Sequence, residues 1–128
     1  MNKVVHFELP TKDFERAKKF YTDLFGWQIS EWPGSKTKYG MTATTPTGDQ
    51  GPIAPGAING AIIEPSQPYE NVTMITIEVP SIDDHLKKIE STGGKTLMPK
   101  NPVGDMGFMA RFQDPEGNVV GLWETAKK

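Results

Sequence analysis

The sequence repeats its own pattern with a shift of 68 residues, and this repeat limits the possible folds more than any other feature. The aligned pairs include His6 with Met74, Phe14 with Ile82, and Gly26 with Gly94. In each half a short β-branched or aromatic segment precedes an amphipathic helical pattern that ends at glycine, and further strand-like segments follow. The pattern predicts one α+β domain over 1–128, built from two βαβββ modules at about 1–65 and 72–128, with a linker at about 66–71.

Side chains alternate between the two faces of a strand, and this alternation separates a helix face from an open face in each module. In the first module we expect Phe7 and Leu9 to face the helix. The residues expected on the opposite faces of the two leading strands are His6, Glu8, Met74 and Thr76. A curved mixed sheet, an incomplete barrel with its helices on the outside, would enclose a cleft between these faces.

Composition excludes several classes of function. Lys plus Arg number 14 and Asp plus Glu number 16, so the net charge of −2 argues against a nucleic-acid or anionic-membrane surface. Cysteine is absent, which excludes disulfides, thiolate metal sites and cysteine nucleophiles and fits a reducing compartment. No apolar run reaches the roughly 18–20 residues that a membrane helix needs, and we recognise no signal peptide. We therefore expect a cytoplasmic protein.

Several motifs resemble those of the glyoxalase/bleomycin-resistance/dioxygenase group, the vicinal oxygen chelate superfamily. They are His6-Phe7-Glu8-Leu9-Pro10, Asp13, Phe20-Tyr21, Leu24-Phe25-Gly26-Trp27, the segment 83–89, Gly93-Gly94, and the segment 114–118. The resemblance covers almost the whole chain and is greatest to a glyoxalase-related branch of unsettled activity. It implies the fold and a homodimer. The superfamily includes isomerases, ring-cleaving dioxygenases, thiol transferases and drug-sequestering proteins, so the fold alone does not give the chemistry.

Metal-dependent members of the superfamily hold a divalent ion with His, Gln or Glu side chains, one from each of four strands. Carried over to this sequence, the first ligand position is His6. The second falls in 59–62, where there is no acid, the third on Met74 and the fourth on Gly121. One ligand position of four keeps a suitable side chain, because a thioether does not suit this type of site. The resemblance therefore implies no firmly held metal or other cofactor. The alternative is a divalent-metal-dependent lyase or dioxygenase that uses His6 with an atypical ligand set.

His6 and Glu8 are the candidate catalytic residues. They can form an acid–base pair or a structural hydrogen-bonded pair at the wall of the cleft, and the sequence leaves both open. Aromatic and methionine side chains suit a small organic ligand. The candidate substrate-binding residues are Trp27, Met74, Thr76, Met106 and Phe108. We expect a protein that binds a small, partly apolar organic molecule, while a structural or interaction domain is a third class. For Arg111 we favour an ion pair on the outer face of the sheet.

Overall fold

The computed structural model describes residues 1–127, which divide into two compact units. The His6 unit is His6–Thr73, and the Met74 unit combines Met1–Val5 with the residues from Met74 onward. The first five residues belong to the second unit, where the Lys3 carbonyl accepts a hydrogen bond from the Glu78 amide at 2.9 Å. The predicted module and linker limits stay predictions.

The His6 unit carries one α-helix and a four-stranded mixed sheet. Its elements are β1 (Val4–Pro10), α1 (Phe14–Phe25), β2 (Gln28–Glu31), β3 (Tyr39–Ala43), β4 (Thr47–Gly48), β5 (Gly51–Pro52), β6 (Gly60–Ile63) and a 3₁₀ turn (Pro68–Glu70). The strand order is β2-β3-β6-β1, with β1 and β6 parallel and the other pairs antiparallel. β4 and β5 form a short hairpin of their own, separate from this sheet.

Local chemistry explains why α1 begins and ends where it does. The Asp13 carboxylate accepts a hydrogen bond from the Arg16 amide at 3.1 Å, which caps the helix N-terminus. Gly26 ends the helix in the left-handed region at φ 71°. The helix packs Phe14 against Ile29 and Ile62 of the sheet, as the sequence pattern predicted.

The Met74 unit repeats this plan. Its elements are β7 (Met74–Glu78), α2 (Ile82–Ser91), β8 (Lys95–Val103), β9 (Gly107–Gln113) and β10 (Val119–Thr125). The strand order is β7-β10-β9-β8, with only β7 and β10 parallel. The core residues around α2 are Val79, Ile82, Leu86, Ala110 and Leu122. The α+β class is thus confirmed, and so is the βαβββ order of both halves once the separate β4–β5 hairpin is set aside.

One strand of the Met74 unit contains two prolines. β8 runs from Lys95 to Val103 and includes Pro99 and Pro102. Prolines can lie in β8 because it is an edge strand, and because its pairing with β9 shifts register between Thr96 and Met98 and again before Asn101. No helix in the described part of the chain has the length and apolar character needed to span a membrane.

Candidate functional site

Three polar side chains meet on the sheet face of the His6 unit that lies opposite α1. His6 Nε2 lies 3.3 Å from Glu8 Oε2. The Tyr39 hydroxyl lies 3.3 Å from His6 Nε2 and donates to Glu8 Oε2 at 3.4 Å. The prediction that His6 and Glu8 share a face is therefore confirmed, and the structure adds Tyr39. We call these three residues the polar triad.

The register of three strands brings the polar triad together. Glu8 on β1 lies beside Ala61 on β6, which lies beside Met41 on β3. Tyr39, two residues before Met41, shares this face, and its side chain reaches both partners on β1. The neighbours Met41 and Ala61 are apolar, so the polar triad lies in partly apolar surroundings.

Close packing between β1 and β6 helps to fix that register. A Cβ atom added at Gly60 would lie 2.3 Å from the Phe7 carbonyl oxygen. Such a distance is far inside van der Waals contact, so only glycine fits at this position. Phe7, on the face opposite His6, packs its ring 5.6 Å from Trp27. These contacts hold the strand that presents His6 and Glu8.

Burial differs within the polar triad, and the difference suits acid–base chemistry. The Glu8 side chain is 3% exposed and that of His6 is 27% exposed. In one hydrogen-bond arrangement that this geometry allows, Nε2–H of His6 and the Tyr39 hydroxyl both donate to Oε2 of the Glu8 carboxylate. The neutral imidazole then keeps a lone pair on Nδ1. A shielded carboxylate thus orients a partly exposed imidazole that can accept or donate a proton.

The Met74 unit carries a second polar set on its sheet face opposite α2. Met74 and Thr76 of β7 are buried, and Arg111 of β9 is 3% exposed. Arg111 alternates with the core residue Ala110, so it lies on this face and the predicted outer-face position is wrong. A Cβ atom at Gly121 would lie 2.6 Å from Thr76 Oγ1 and 3.4 Å from Arg111 Nη1.

The other candidate substrate-binding residues are placed differently. Trp27 stacks on Tyr21 with ring centroids 4.9 Å apart, on the α1 side of its sheet. Phe108 packs against the core beneath α2, and Lys100 Nζ lies 4.3 Å from its ring centroid. Met106 is exposed in the turn between β8 and β9. We leave Trp27 and Phe108 out of the site because each packs on the helix side of its sheet.

The residues present do not fit the superfamily's usual metal site. Within residues 1–127, no group of three or more His, Cys, Asp or Glu side chains is placed to hold a metal ion. The acid nearest the fourth ligand position, Glu124, points toward α2. Its Oε1 accepts from the Ile82 amide at 2.8 Å and its Oε2 accepts from Lys100 at 3.0 Å. The Ile82 amide and Lys100 hold the pKa of Glu124 below its ordinary value.

An open depression of about 460 Å³ also occurs in the His6 unit, lined by Gly26, Gln28 and residues 43–47. The polar triad is not part of its lining. The hydroxyl of Thr44 in this depression donates to the Ile58 carbonyl and that of Thr47 to the Thr45 carbonyl. We therefore identify the candidate site by the chemistry of the polar triad rather than by this depression.

The fold and the motifs define a superfamily, and comparison with known proteins names it. Residues 3–122 match the Glyoxalase/Bleomycin resistance protein/Dioxygenase superfamily, and this chain belongs to that superfamily. A Didymella fabae protein described as glyoxylase-like domain-containing is 30% identical over 119 residues, which cover 90% of this chain and 88% of that protein.

Two longer bacterial proteins are also similar. A Mycobacterium tuberculosis protein with the provisional name glyoxylase CFP32 is 37% identical over 123 residues, 91% of this chain and 43% of its own length. The anthracycline biosynthesis protein DnrV of Streptomyces peucetius is 27% identical over 126 residues, 91% of this chain and 45% of its own length. The chain thus spans less than half of each of these relatives.

Solved structures confirm the fold. A methylmalonyl-CoA epimerase variant of Streptomyces coelicolor, in complex with 2-nitronate-propionyl-CoA, aligns with a TM-score of 0.70 at 17% identity and covers 99% of both chains. A hypothetical protein of Bacillus halodurans aligns with a TM-score of 0.69 at 14% identity, covering 99% of this chain and 96% of that one. At these identities the likeness concerns the fold alone.

Proposed function

We propose that this chain binds a small, partly apolar organic molecule on the open face of the His6 unit, without the superfamily's usual metal site. The polar triad is the observation that carries the proposal. His6 is the group that exchanges a proton with the bound molecule or hydrogen-bonds to it. Glu8 and Tyr39 orient the imidazole. The chemistry proposed is acid–base or hydrogen-bond recognition at an oxygen-bearing carbon centre.

The surroundings of the polar triad support this assignment. Small-molecule sites combine mostly apolar walls with a few placed polar groups. Here Met41 is exposed beside the polar triad, and the buried Ala61 and Ile63 line the same face. An apolar portion of a ligand can cover the exposed Met41 while a carbonyl or hydroxyl oxygen meets His6.

The test is a thermal-shift screen of the whole chain against CoA thioesters, small dicarbonyls and planar aromatic polyketides. A ligand present at about 100 times its Kd adds about 2.7 kcal/mol to the folded state, which raises Tm by roughly 8–13 °C in a domain of this size. We expect His6→Ala to abolish the shift of the best ligand. His85, the other histidine of the sequence, provides the control, and His85→Ala should keep the shift.

Two results would contradict the proposal. One is a ligand shift of the same size in wild type and His6→Ala, since the polar triad would then not be the binding site. The other is stoichiometric zinc, nickel, manganese or iron in protein purified without chelator, lost together with activity in His6→Ala. That second result would support the metal-dependent lyase or dioxygenase instead.

We also propose that the protein is cytoplasmic and forms a homodimer. The absence of cysteine supports a reducing compartment. Cell fractionation tests the location, and a membrane-bound or secreted pool would contradict it. The homodimer needs a surface on which two copies can pack, and α1 offers one.

A further inference from the structure

The C-terminal half of α1 leaves a continuous apolar surface uncovered. Phe20 is 52% exposed, Leu24 61% and Phe25 60%. Tyr21 joins them, because its ring centroid lies 5.1 Å from that of Phe20 and 6.0 Å from that of Phe25. We call Phe20, Tyr21, Leu24 and Phe25 the α1 patch. Contiguous apolar patches of this kind usually mark an interaction surface, whereas single exposed apolar residues do not.

We propose that the α1 patch is the contact between two copies of this chain, with the two α1 helices packed antiparallel about a two-fold axis that passes midway between Phe20 and Leu24. This inference rests on the proposed homodimer and is independent of the proposed ligand site. Phe20 and Leu24 are four residues apart and therefore share a face of the helix. An antiparallel two-fold places Phe20 opposite the partner's Leu24, and the same contact then recurs on the other side of the axis. The α1 patch is thus self-complementary.

The charges along α1 favour the antiparallel arrangement. The last turn of α1 holds no basic residue, so its carbonyl groups and the negative end of the helix dipole lack a cation within the helix. Arg16 and Lys18 lie one turn before the α1 patch. In an antiparallel pair these cations approach the C-terminal end of the other helix. A parallel pair would place like charges together.

The lengths of the relatives support a second copy as the occupant. The Mycobacterium tuberculosis and Streptomyces peucetius proteins match this chain over 43% and 45% of their own lengths. Each therefore has room for a second domain of this size in the same polypeptide. In this chain, a separate second copy can cover the α1 patch.

The experiment is sedimentation velocity on the full chain from 1 to 100 µM. Wild type should sediment at about twice the chain mass of 14.1 kDa at the upper concentrations. Phe20→Glu and Leu24→Glu should each shift the protein to a single chain mass, with at least a 100-fold rise in the dimer Kd. Ile53 is 67% exposed and lies outside the α1 patch, so Ile53→Glu is the matched control and should remain dimeric. Far-UV circular dichroism confirms that each variant is folded.

Cysteine crosslinking gives a second readout, since the natural chain has no cysteine. A mixture of Phe20→Cys and Leu24→Cys chains should form a disulfide-linked dimer under mild oxidation, because the two positions lie opposite each other in the proposed pair, and Ile53→Cys should not. A monomeric wild type would overturn both the homodimer and the α1 interface. A dimer that persists in Phe20→Glu and Leu24→Glu would overturn the α1 interface and leave the homodimer standing. Equal loss of the dimer in Ile53→Glu would also overturn the α1 interface.

Discussion

The hydrogen bonds of the polar triad can be measured by a double-mutant cycle between Glu8 and Tyr39. Tyr39→Phe removes the hydroxyl and keeps the ring. Glu8→Gln keeps the size of the buried side chain and removes its charge. Both residues make other contacts, but those contacts cancel in the coupling term of the cycle. The coupling energy therefore reports the contact between these two side chains.

The geometry sets the size of the effect. A hydrogen bond to a charged group contributes about 1.5–3 kcal/mol, and O–H···O bonds are usually about 2.5–3.0 Å long. The Tyr39 hydroxyl lies 3.4 Å from Glu8 Oε2, which is longer, and glutamine still offers an acceptor oxygen. We therefore expect a coupling energy below that range, about 0.5–1 kcal/mol. Tyr39→Phe alone should cost about 1–2 kcal/mol, because the hydroxyl also contacts His6.

The assay is urea unfolding at pH 7 of wild type, both single variants and the double variant. Tyr21→Phe gives the control, since Tyr21 stacks on Trp27 on the α1 side, and its coupling with Glu8→Gln should be within 0.3 kcal/mol of zero. A Glu8–Tyr39 coupling indistinguishable from that control would refute the hydrogen-bonded network. It would also remove the reason for assigning Tyr39 to the site.

Two further predictions concern the supports of the candidate site and of α2. Gly60→Ala should cost at least about 1–3 kcal/mol, because the new methyl group meets the Phe7 carbonyl. Gly48→Ala should change the free energy of unfolding by less than about 0.5 kcal/mol, because its Cβ would make only an ordinary contact with Ile53 at 3.9 Å. Equal effects in urea unfolding would disprove the register of β1 and β6. Glu124 has a lowered pKa, so the stabilisation it gives is present above about pH 4.3 and is lost as pH falls through its folded-state pKa. The difference in the free energy of unfolding between wild type and Glu124→Gln should therefore be constant from pH 7 to 5 and shrink below pH 4. A difference that widens in acid would contradict this.

Local chemistry made much of the fold predictable. Asp13 and Ser81 cap the two helices, with Ser81 accepting from the Asp84 amide at 3.2 Å. The turn after β9 forms as expected, since Asp114 accepts from the Glu116 and Asn118 amides. Each of these interactions joins residues within four positions of one another. A single sequence therefore contains the information needed to find them.

The missed features depend on pairing between distant segments. Tyr39 lies 31 residues from Glu8, and only the β1–β6–β3 register brings them together. Strand alternation in the sequence could have placed Arg111 on the correct face of the sheet. Its neighbours Ala110 and Phe112 pack on the α2 side, so Arg111 must face the other way. Tyr39 and Met41 are two positions apart on β3 and therefore share a face of the sheet. This alternation is the sequence signal that could have placed Tyr39 beside Glu8. It becomes usable once β3 is known to pair with β6.

At the implied fourth ligand position the chain has Gly121 instead of an acid, and the packing of the Met74 unit leaves little room for a larger side chain there. Substitution of Gly121 tests this. A side chain there would start 2.6 Å from Thr76 Oγ1 and 3.4 Å from Arg111 Nη1. Gly121→Glu, which restores an acid at the implied ligand position, must displace Thr76 and place a carboxylate in a buried environment. Overpacking of this kind costs about 1–3 kcal/mol, and burial of the charge adds to that cost.

We expect Gly121→Glu to lower stability in urea unfolding and to show no stoichiometric zinc binding by calorimetry. Gly48→Glu is the matched control and should unfold like wild type, because Gly48 is exposed and a Cβ there would make only an ordinary contact with Ile53. Wild-type stability together with a new zinc site in Gly121→Glu would contradict the reasoning, since it would mean that a single substitution separates this chain from a metal-binding relative. If stability falls instead, restoring the acid also requires changes at Thr76 and Arg111, because these neighbours occupy the space that a longer side chain needs.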